Sequence, residues 1–258
     1  MIIDGKKVKI GALILAGGSG TRFGSGLPKQ FLPVAETPMF LFSVDAFLPL
    51  VDRVVLVMKE SEIGRAEAIL DTEGLSEDVR VVPGGEDRAR SSIRGLRALT
   101  EEGGVEYVLI HDAARCLVTE EIVRRVAMGA VRYGAAIAAV PSHDTVKIAA
   151  ASGTASPAEA NPETLPALPE VEMTTDRSRT YQVQTPQGFQ FGLITSAYLR
   201  AEAENALSTL TDDASAVERF TDHKVYLVPG DEQNLKVTTP LDLAVAEIVV
   251  TMRKGEGS

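Results

Sequence analysis

An α/β fold built on a doubly wound, mostly parallel sheet is predicted by three observations. Short β-branched apolar runs alternate along the chain with helical patterns. The runs are almost continuously apolar, as strands of a parallel sheet covered on both faces must be. The chain has 258 residues, 45% of them hydrophobic, enough for one sizeable core and better suited to one large domain than to two small ones. Such Rossmann-like βα repeats close by right-handed crossovers and bind ligands at the carboxyl ends of their strands.

The first strand is ALILAG (12–17), followed by a glycine-rich loop. Thr37-Pro38 reads as a helix start, a threonine N-cap before a proline at the first helical position. RVVLVMK (53–59) and VRVVPGG (79–85) are the next strands, and GGEDRARSS opens a helix after the second. YVLIHDA (107–113) precedes a helix opened by Thr119-Glu120-Glu121, and AAIAAVP (135–141) ends the alternation. Residues 149–170, AAASGTASPAEANPETLPALPE, have no periodicity and read as a loose, solvated loop. They lie between HDTVKI and TTDRSRTYQVQTP, both extended in pattern. The simplest account is a protruding β-hairpin arm, 141–183, inserted in a single domain, 1–258, with a flexible tip at 149–170. The sheet pattern resumes with KVYLVPG (224–230) and LKVT (235–238). A closing helix starts at Thr239-Pro240, and GEGS reads as a frayed tail.

The formal net charge of −10 argues against a broad nucleic-acid-binding surface but leaves room for a local cationic pocket. One cysteine, Cys116, excludes an internal disulfide framework and suits a reducing compartment. KKVKIGALILAGG has the basic start and apolar run of a secretory signal. That run is at the lower length limit, however, and no later stretch is long enough to span a bilayer. A cytoplasmic enzyme is expected, with neither nucleic acid nor membrane as partner.

The loop LAGGSGTRFGSGLPKQ, residues 15–30, carries glycines at 17, 18, 20, 24 and 26 together with Arg22 and Lys29. Following a strand, it exposes backbone amides at the carboxyl edge of the sheet, where they can form an anion nest. Gly18-Ser19-Gly20-Thr21-Arg22-Phe23 lacks the third glycine of a dinucleotide fingerprint, and no Gly-Lys-Ser/Thr ending marks a P-loop. Two cations beside a glycine turn suit a triphosphate. Arg88, Arg90, Arg94 and Arg97 read as a solvated helix face, an inward turn being left open for Arg88.

LAGGSGTRFGSGLPKQFL resembles the signature of the sugar-phosphate nucleotidyltransferases. GGEDRARSS, HDAAR, DTVK, TTDR, QTPQGF, TDDASAVE and NLKVTTPLDLAVAE narrow the likeness. In order and spacing, from about residue 11 to 250, they resemble the 2-C-methyl-D-erythritol 4-phosphate cytidylyltransferase family of the non-mevalonate isoprenoid pathway. The ribitol-5-phosphate cytidylyltransferases share the first loop and TPQ but match TTDR and DDASAVE less well. They remain the alternative, beside a non-catalytic nucleotide-binding regulator. Cys116 departs from the proline usual in the family, and the 149–170 segment is longer than the usual arm tip.

The resemblance implies attack of a phosphate monoester on the α-phosphorus of CTP with release of pyrophosphate. Catalysis would then be positioning and charge neutralisation. It implies that Lys29 and Lys236 flank the α-phosphate and that Arg22 holds the phosphates. Ala16, Gly17, Gly18, Ser19, Gly20 and Thr21 would cradle the nucleotide, and Gly85 and Ser91 would read cytosine, with Glu86 beside them. Asp112 would meet the ribose or a Mg²⁺ carried by the triphosphate. The acceptor phosphate is already ionised near neutrality, so no general base is needed and His111 is read as structural. Arg115, Thr145, Arg177, Thr185 and Thr211 match the positions around the sugar phosphate, and Thr211-Asp212 also reads as a helix N-cap. The family further implies a homodimer with arm exchange, in which Thr145 and Arg177 reach a second subunit.

Overall fold

The computed structural model describes residues 1–18, 27–150 and 170–256. Strands β1 (Ile2–Ile3) and β2 (Lys6–Lys7) make a short hairpin before β3 (Ile10–Leu15). A second small hairpin, β4 (Pro33–Val34) and β5 (Thr37–Pro38), precedes α1 (Met39–Phe47). The expected alternation follows as β6 (Arg53–Met58), α2 (Ile63–Thr72), β7 (Val79–Pro83), α3 (Arg88–Glu101), β8 (Tyr107–Asp112), α4 (Glu120–Tyr133) and β9 (Ala135–Pro141). Then come β10 (Lys147–Ala149), β11 (Val171–Thr174), β12 (Tyr181–Gln190), α5 (Phe191–Ala203), α6 (Asp213–Phe220), β13 (Tyr226–Pro229) and α7 (Pro240–Glu256).

Seven strands form the central sheet in the order β13-β9-β12-β8-β3-β6-β7. β7, β6, β3 and β8 run parallel, with Leu13 beside both Val55 and Ile110. β12 returns antiparallel to β8, Gly188 opposite Leu109. Side-chain alternation splits the core in two. Ala12, Ile14, Val54, Leu56 and Leu109 pack with Val44, Phe47, Leu70 and Val126 of α1, α2 and α4. Leu13, Val55, Val57, Val108 and Ile110 pack with Leu96, Leu99, Tyr198 and Val217 of α3, α5 and α6. Each such side chain contributes about 1.5–3 kcal/mol when fully buried. Both faces are covered, so the sheet is doubly wound.

The start of α4 is as expected. Thr119 accepts from the Ile122 N–H, and Glu120 and Glu121 face the positive end of the dipole. Three readings change. Thr37-Pro38 belongs to β5, and Pro38 stands at the N-cap of α1 with no side-chain cap, because both residues pair with β4. LKVT (235–238) is not a strand. Its Val237 N–H bonds the Ala114 carbonyl, Lys236 turns to Asp112, and Thr238 is held by Asp242, so no ladder forms. The helix α7 runs on to Glu256 through half of the predicted tail.

Residues 139–183 make a compact unit of their own, and 1–138 with 184–258 make the other. In the smaller unit β10 and β11 pair antiparallel, Lys147 opposite Thr174, and every residue of both strands is exposed. Pairing continues past β10, where the Ala150 N–H bonds the Glu170 carbonyl. The rest of the segment expected to be loose, 151–169, lies outside the described residues. A 3-10 turn, Arg177–Arg179, replaces the extended chain expected there, because Asp176 accepts from the Ser178 N–H.

Candidate active site

Parallel strands end at one edge, so the turns after β3, β6, β7 and β8 surround a single cleft of about 660 Å³. Ala16, Gly17 and Gly18 enter it after β3, Gly85 and Arg88 after β7, and Asp112 at the end of β8; Lys29 and Lys236 complete it. A larger cleft of about 820 Å³ is lined by Asp52, Arg53, Arg80 and Glu102. There Arg53 and Arg80 pair with Glu101 and Glu102, and no glycine turn stands among the described lining residues to present backbone amides. Chemistry, not volume, selects the smaller cleft.

The turn after β7 is built by GGEDRARSS. The Asp87 carboxylate caps α3 by accepting from the Arg90 N–H. The Ser91 hydroxyl accepts from the Gly85 N–H at 3.0 Å and donates to the Asp87 carbonyl at 2.8 Å. Gly85 is needed here, because a Cβ would lie 2.3 Å from the Arg90 Cβ.

A chain of charges runs from the interior to the cleft. Asp213 is 0% exposed; its Oδ1 accepts from the Ser92 hydroxyl at 2.8 Å and the Tyr198 hydroxyl at 2.5 Å. Its Oδ2 lies 2.6 Å from Arg88 Nη1. Arg88 Nε donates to Asp112 Oδ1 at 3.1 Å, and Lys236 Nζ donates to Asp112 Oδ2 at 2.6 Å. Burial would raise the Asp112 pKa, but Arg88 and Lys236 hold it well below the usual carboxylate range. Burial likewise opposes the charge on Arg88, and Asp213 and Asp112 more than offset it, raising its pKa. Asp112 therefore cannot accept a proton near neutrality. What the cleft offers is fixed positive charge and backbone amides for an anion.

Lys29 stands in a 3-10 turn, Lys29–Phe31, and its Nζ donates to the Val237 carbonyl at 3.0 Å. Lys29 is thus bonded to the residue that follows Lys236, and both lysines line the cleft. Thr185 is buried, its hydroxyl accepting from the Asp112 N–H at 3.1 Å and bonding His111 Nδ1 at 3.0 Å. It supports Asp112 from behind rather than lining the cleft. His111 is 0% exposed; burial, helped by the charge of Arg115 and opposed by Asp112, lowers its pKa to about 3. Glu86 and Ser91 line the cleft.

Arg115 is half-buried, donates to the Asn234 carbonyl at 2.7 Å and does not line the cleft. Neither does Thr211, exposed just before the Asp212–Ser215 capping box of α6. Thr145 and Arg177 belong to the 139–183 unit, both exposed, with Arg177 donating to the His143 carbonyl at 3.2 Å. Ser19, Gly20, Thr21 and Arg22 lie outside the described residues. Among the described residues no three His, Cys, Asp or Glu side chains converge on a metal position, so Asp112 offers a single carboxylate.

Arg94 and Arg97 do form a solvated face, but Arg88 turns inward and Asp213 was not foreseen at all. A signal existed for both. Arg88 shares helical spacing with the buried Ser92, Gly95 and Leu99, and Asp213 with the buried Val217 and Phe220.

The sequence profile of the 2-C-methyl-D-erythritol 4-phosphate cytidylyltransferase family matches residues 10–252. A relative of that name from Thermobifida fusca is 40% identical over 251 residues, covering 95% of this chain and 94% of the relative. One from Streptomyces coelicolor is 41% identical over 250 residues, covering 94% of this chain and 85% of the relative. The crystal structure of a 4-diphosphocytidyl-2C-methyl-D-erythritol synthase from Anaerococcus prevotii superposes with a TM-score of 0.74 at 29% identity, covering 95% of this chain and 99% of that one. The Thermus thermophilus cytidylyltransferase gives a TM-score of 0.70 at 27% identity, with 95% and 100% covered. These matches span nearly the whole chain at both sequence and structure level, and the chain belongs to the 2-C-methyl-D-erythritol 4-phosphate cytidylyltransferase family.

Proposed function

We propose that the protein transfers CMP from CTP to 2-C-methyl-D-erythritol 4-phosphate, giving 4-diphosphocytidyl-2-C-methyl-D-erythritol and pyrophosphate for isoprenoid precursor synthesis. The observation that carries this is that Lys29 and Lys236 line one cleft with the glycine turn of β3. An oxygen of the acceptor phosphate attacks the α-phosphorus and forms a new P–O–P link. The bond between the α-phosphorus and the oxygen that bridges it to the β-phosphorus breaks, and pyrophosphate leaves with that oxygen and the bonding electron pair. Both reactants are anions, so the barrier is lowered by fixed cations at the α-phosphate and by holding the two phosphates in line. Lys29 and Lys236, mobile point charges on long stems, suit that task. Arg22, with the amides of residues 16–21, would hold the β- and γ-phosphates, and the Gly85–Ser91 turn would receive cytosine.

A Mg²⁺ fits the donor set among the described residues if it is carried by the nucleotide: Asp112 would supply one carboxylate and the nucleotide phosphates the remaining oxygens, as is usual for this ion. When bound it would neutralise charge on the triphosphate. The exposed apolar side chains of the arm, Ile148, Val171 and Met173, support a homodimer with arm exchange, in which Thr145 and Arg177 serve the sugar phosphate of a second copy. The cytoplasm belongs to the same reading; among the described residues no helix is long and apolar enough to cross a membrane. The test is pyrophosphate release from CTP with methylerythritol phosphate and ribitol 5-phosphate in parallel. Turnover with ribitol phosphate alone overturns the substrate assignment, and turnover with neither overturns the activity.

A further inference from the structure

We propose that Asp213 and Arg88 are a positioning pair that fixes the Asp112 carboxylate, and through it Lys236, before the nucleotide arrives. The inference rests on the cytidylyltransfer reading above and adds two residues that act through Asp112.

The charge on Arg88 is not explained by its own helix, and the burial of that on Asp213 is explained only in part. Arg88 is the first residue of α3, where the macrodipole disfavours a cation, and Asp87 already caps that helix. Asp213 is the first residue of α6, whose cap is the neighbouring Asp212 with Ser215. The next free amide of α6, at Ala214, is taken by Gln187 Oε1 at 3.0 Å. The positive end of the α6 dipole favours the Asp213 carboxylate, but the carboxylate is not the cap of that helix. A buried ion pair is also poor stabilisation, since apolar side chains of like volume often do as well or better.

The geometry shows what the pair does instead. Asp213 is anchored by two hydroxyls from different helices, Ser92 of α3 and Tyr198 of α5. It holds one arm of the Arg88 guanidinium at 2.6 Å, and the planar fork then points Nε at Asp112 Oδ1. With Oδ1 occupied, Oδ2 is left facing Lys236. A lysine at position 88 could not span two carboxylates in fixed directions. Three sheet-edge turns, after β7, after β8 and before α6, are thereby locked to one another. Lys236, 44% exposed on a segment without regular structure, takes its place from the end of that chain.

The test uses Asp213→Asn, which keeps the shape and both hydroxyl bonds but removes the charge. Pyrophosphate release by the wild type with methylerythritol phosphate first checks the underlying activity. Asp213→Asn is expected to lower kcat about tenfold or more with KM for both substrates nearly unchanged, and to have less than about a twofold effect in a Lys236→Ala background. Arg88→Lys should behave alike in both backgrounds, and it decides the matter if Asp213→Asn does not fold. Equal fold-losses with and without Lys236, or normal kcat in a folded variant, overturn the proposal. A crystal structure of Asp213→Asn reads the positioning without any assay. A Lys236–Asp112 contact that survives there overturns it even if the wild type proves inactive; a lost contact supports it.

Discussion

Acidification from about pH 7.5 to about pH 5 is expected to remove about 2 kcal/mol of folding stability through His111 alone. Its folded pKa is depressed to about 3, whereas an unfolded histidine titrates near about 6.5. Below that higher value the unfolded chain binds a proton that the folded chain refuses. Stability therefore falls as pH drops through about 6.5, at up to about 1.4 kcal/mol per pH unit, and goes on falling towards the folded pKa. Integration over the stated range gives the 2 kcal/mol, roughly. The physical cause is burial of a ring that is 0% exposed, made worse by Arg115 and only partly relieved by Asp112. The perturbation is His111→Gln, which cannot take up a proton. Urea unfolding at both pH values measures each protein, and carboxylates and the other two histidines cancel in the comparison. The variant should be less stable at neutral pH yet lose about 2 kcal/mol less on acidification. Equal losses would refute the assignment of a neutral, buried histidine. Activity gives a second check, because an already ionised acceptor phosphate asks for no base. A kcat loss near that of the lysine variants described next would make His111 an acid–base group and refute the structural role.

Lys29→Ala and Lys236→Ala should each lower kcat by roughly 10²–10³ while CTP affinity, measured by calorimetry, changes far less. Gly85→Ala should weaken CTP binding about tenfold and lower folding stability in urea by roughly 1–3 kcal/mol, since its Cβ would overpack against the backbone and Cβ of Arg90. Cys116, 2% exposed and with its thiol pushed up to about 11 by burial, should react with a chromogenic disulfide only as fast as the protein unfolds. Immediate labelling of the native protein would contradict both the burial and the pKa.

Buried parallel strands leave an unambiguous trace, and β3, β6 and β8 were legible because runs of four to six apolar residues admit little else. Thr119 was legible as a cap because Glu120 and Glu121 reinforce it. Thr37-Pro38 carries the same local chemistry, but pairing with β4 overrides it. LKVT has strand composition, yet its lysine and threonine are engaged individually, and composition does not register such commitments. Lys29 and Lys236 could be nominated by resemblance, but nothing local brings residue 29 to the carbonyl of residue 237. Arg88 is open to an inward turn from its sequence alone, whereas nothing local but its spacing singles out Asp213 from its neighbour Asp212. The positions of Arg88 and Asp213 on the buried helix faces were visible in the spacing; their partnership, across more than a hundred residues, was not.

The free cleft also shows how a chain of net charge −10 can receive a polyanion. Lys236 rests on Asp112 and Lys29 on a backbone carbonyl, so both cations already have oxygen partners before any phosphate enters. Phosphate oxygens then replace these contacts rather than meeting bare charges, and the net gain is a difference between similar interactions. At the effective dielectric of a partly exposed site each charge contact is worth about 4 kcal/mol at about 4 Å separation, so an exchange recovers only part of that. On the proposed reaction, binding would then be of moderate strength, which suits a transferase that must release pyrophosphate. Arg88 would keep Asp112 neutralised as Lys236 moved to a phosphate, since its contact is with the other carboxylate oxygen. A carboxylate in a phosphate site would on this reading both hold the lysine ready and allow it to let go.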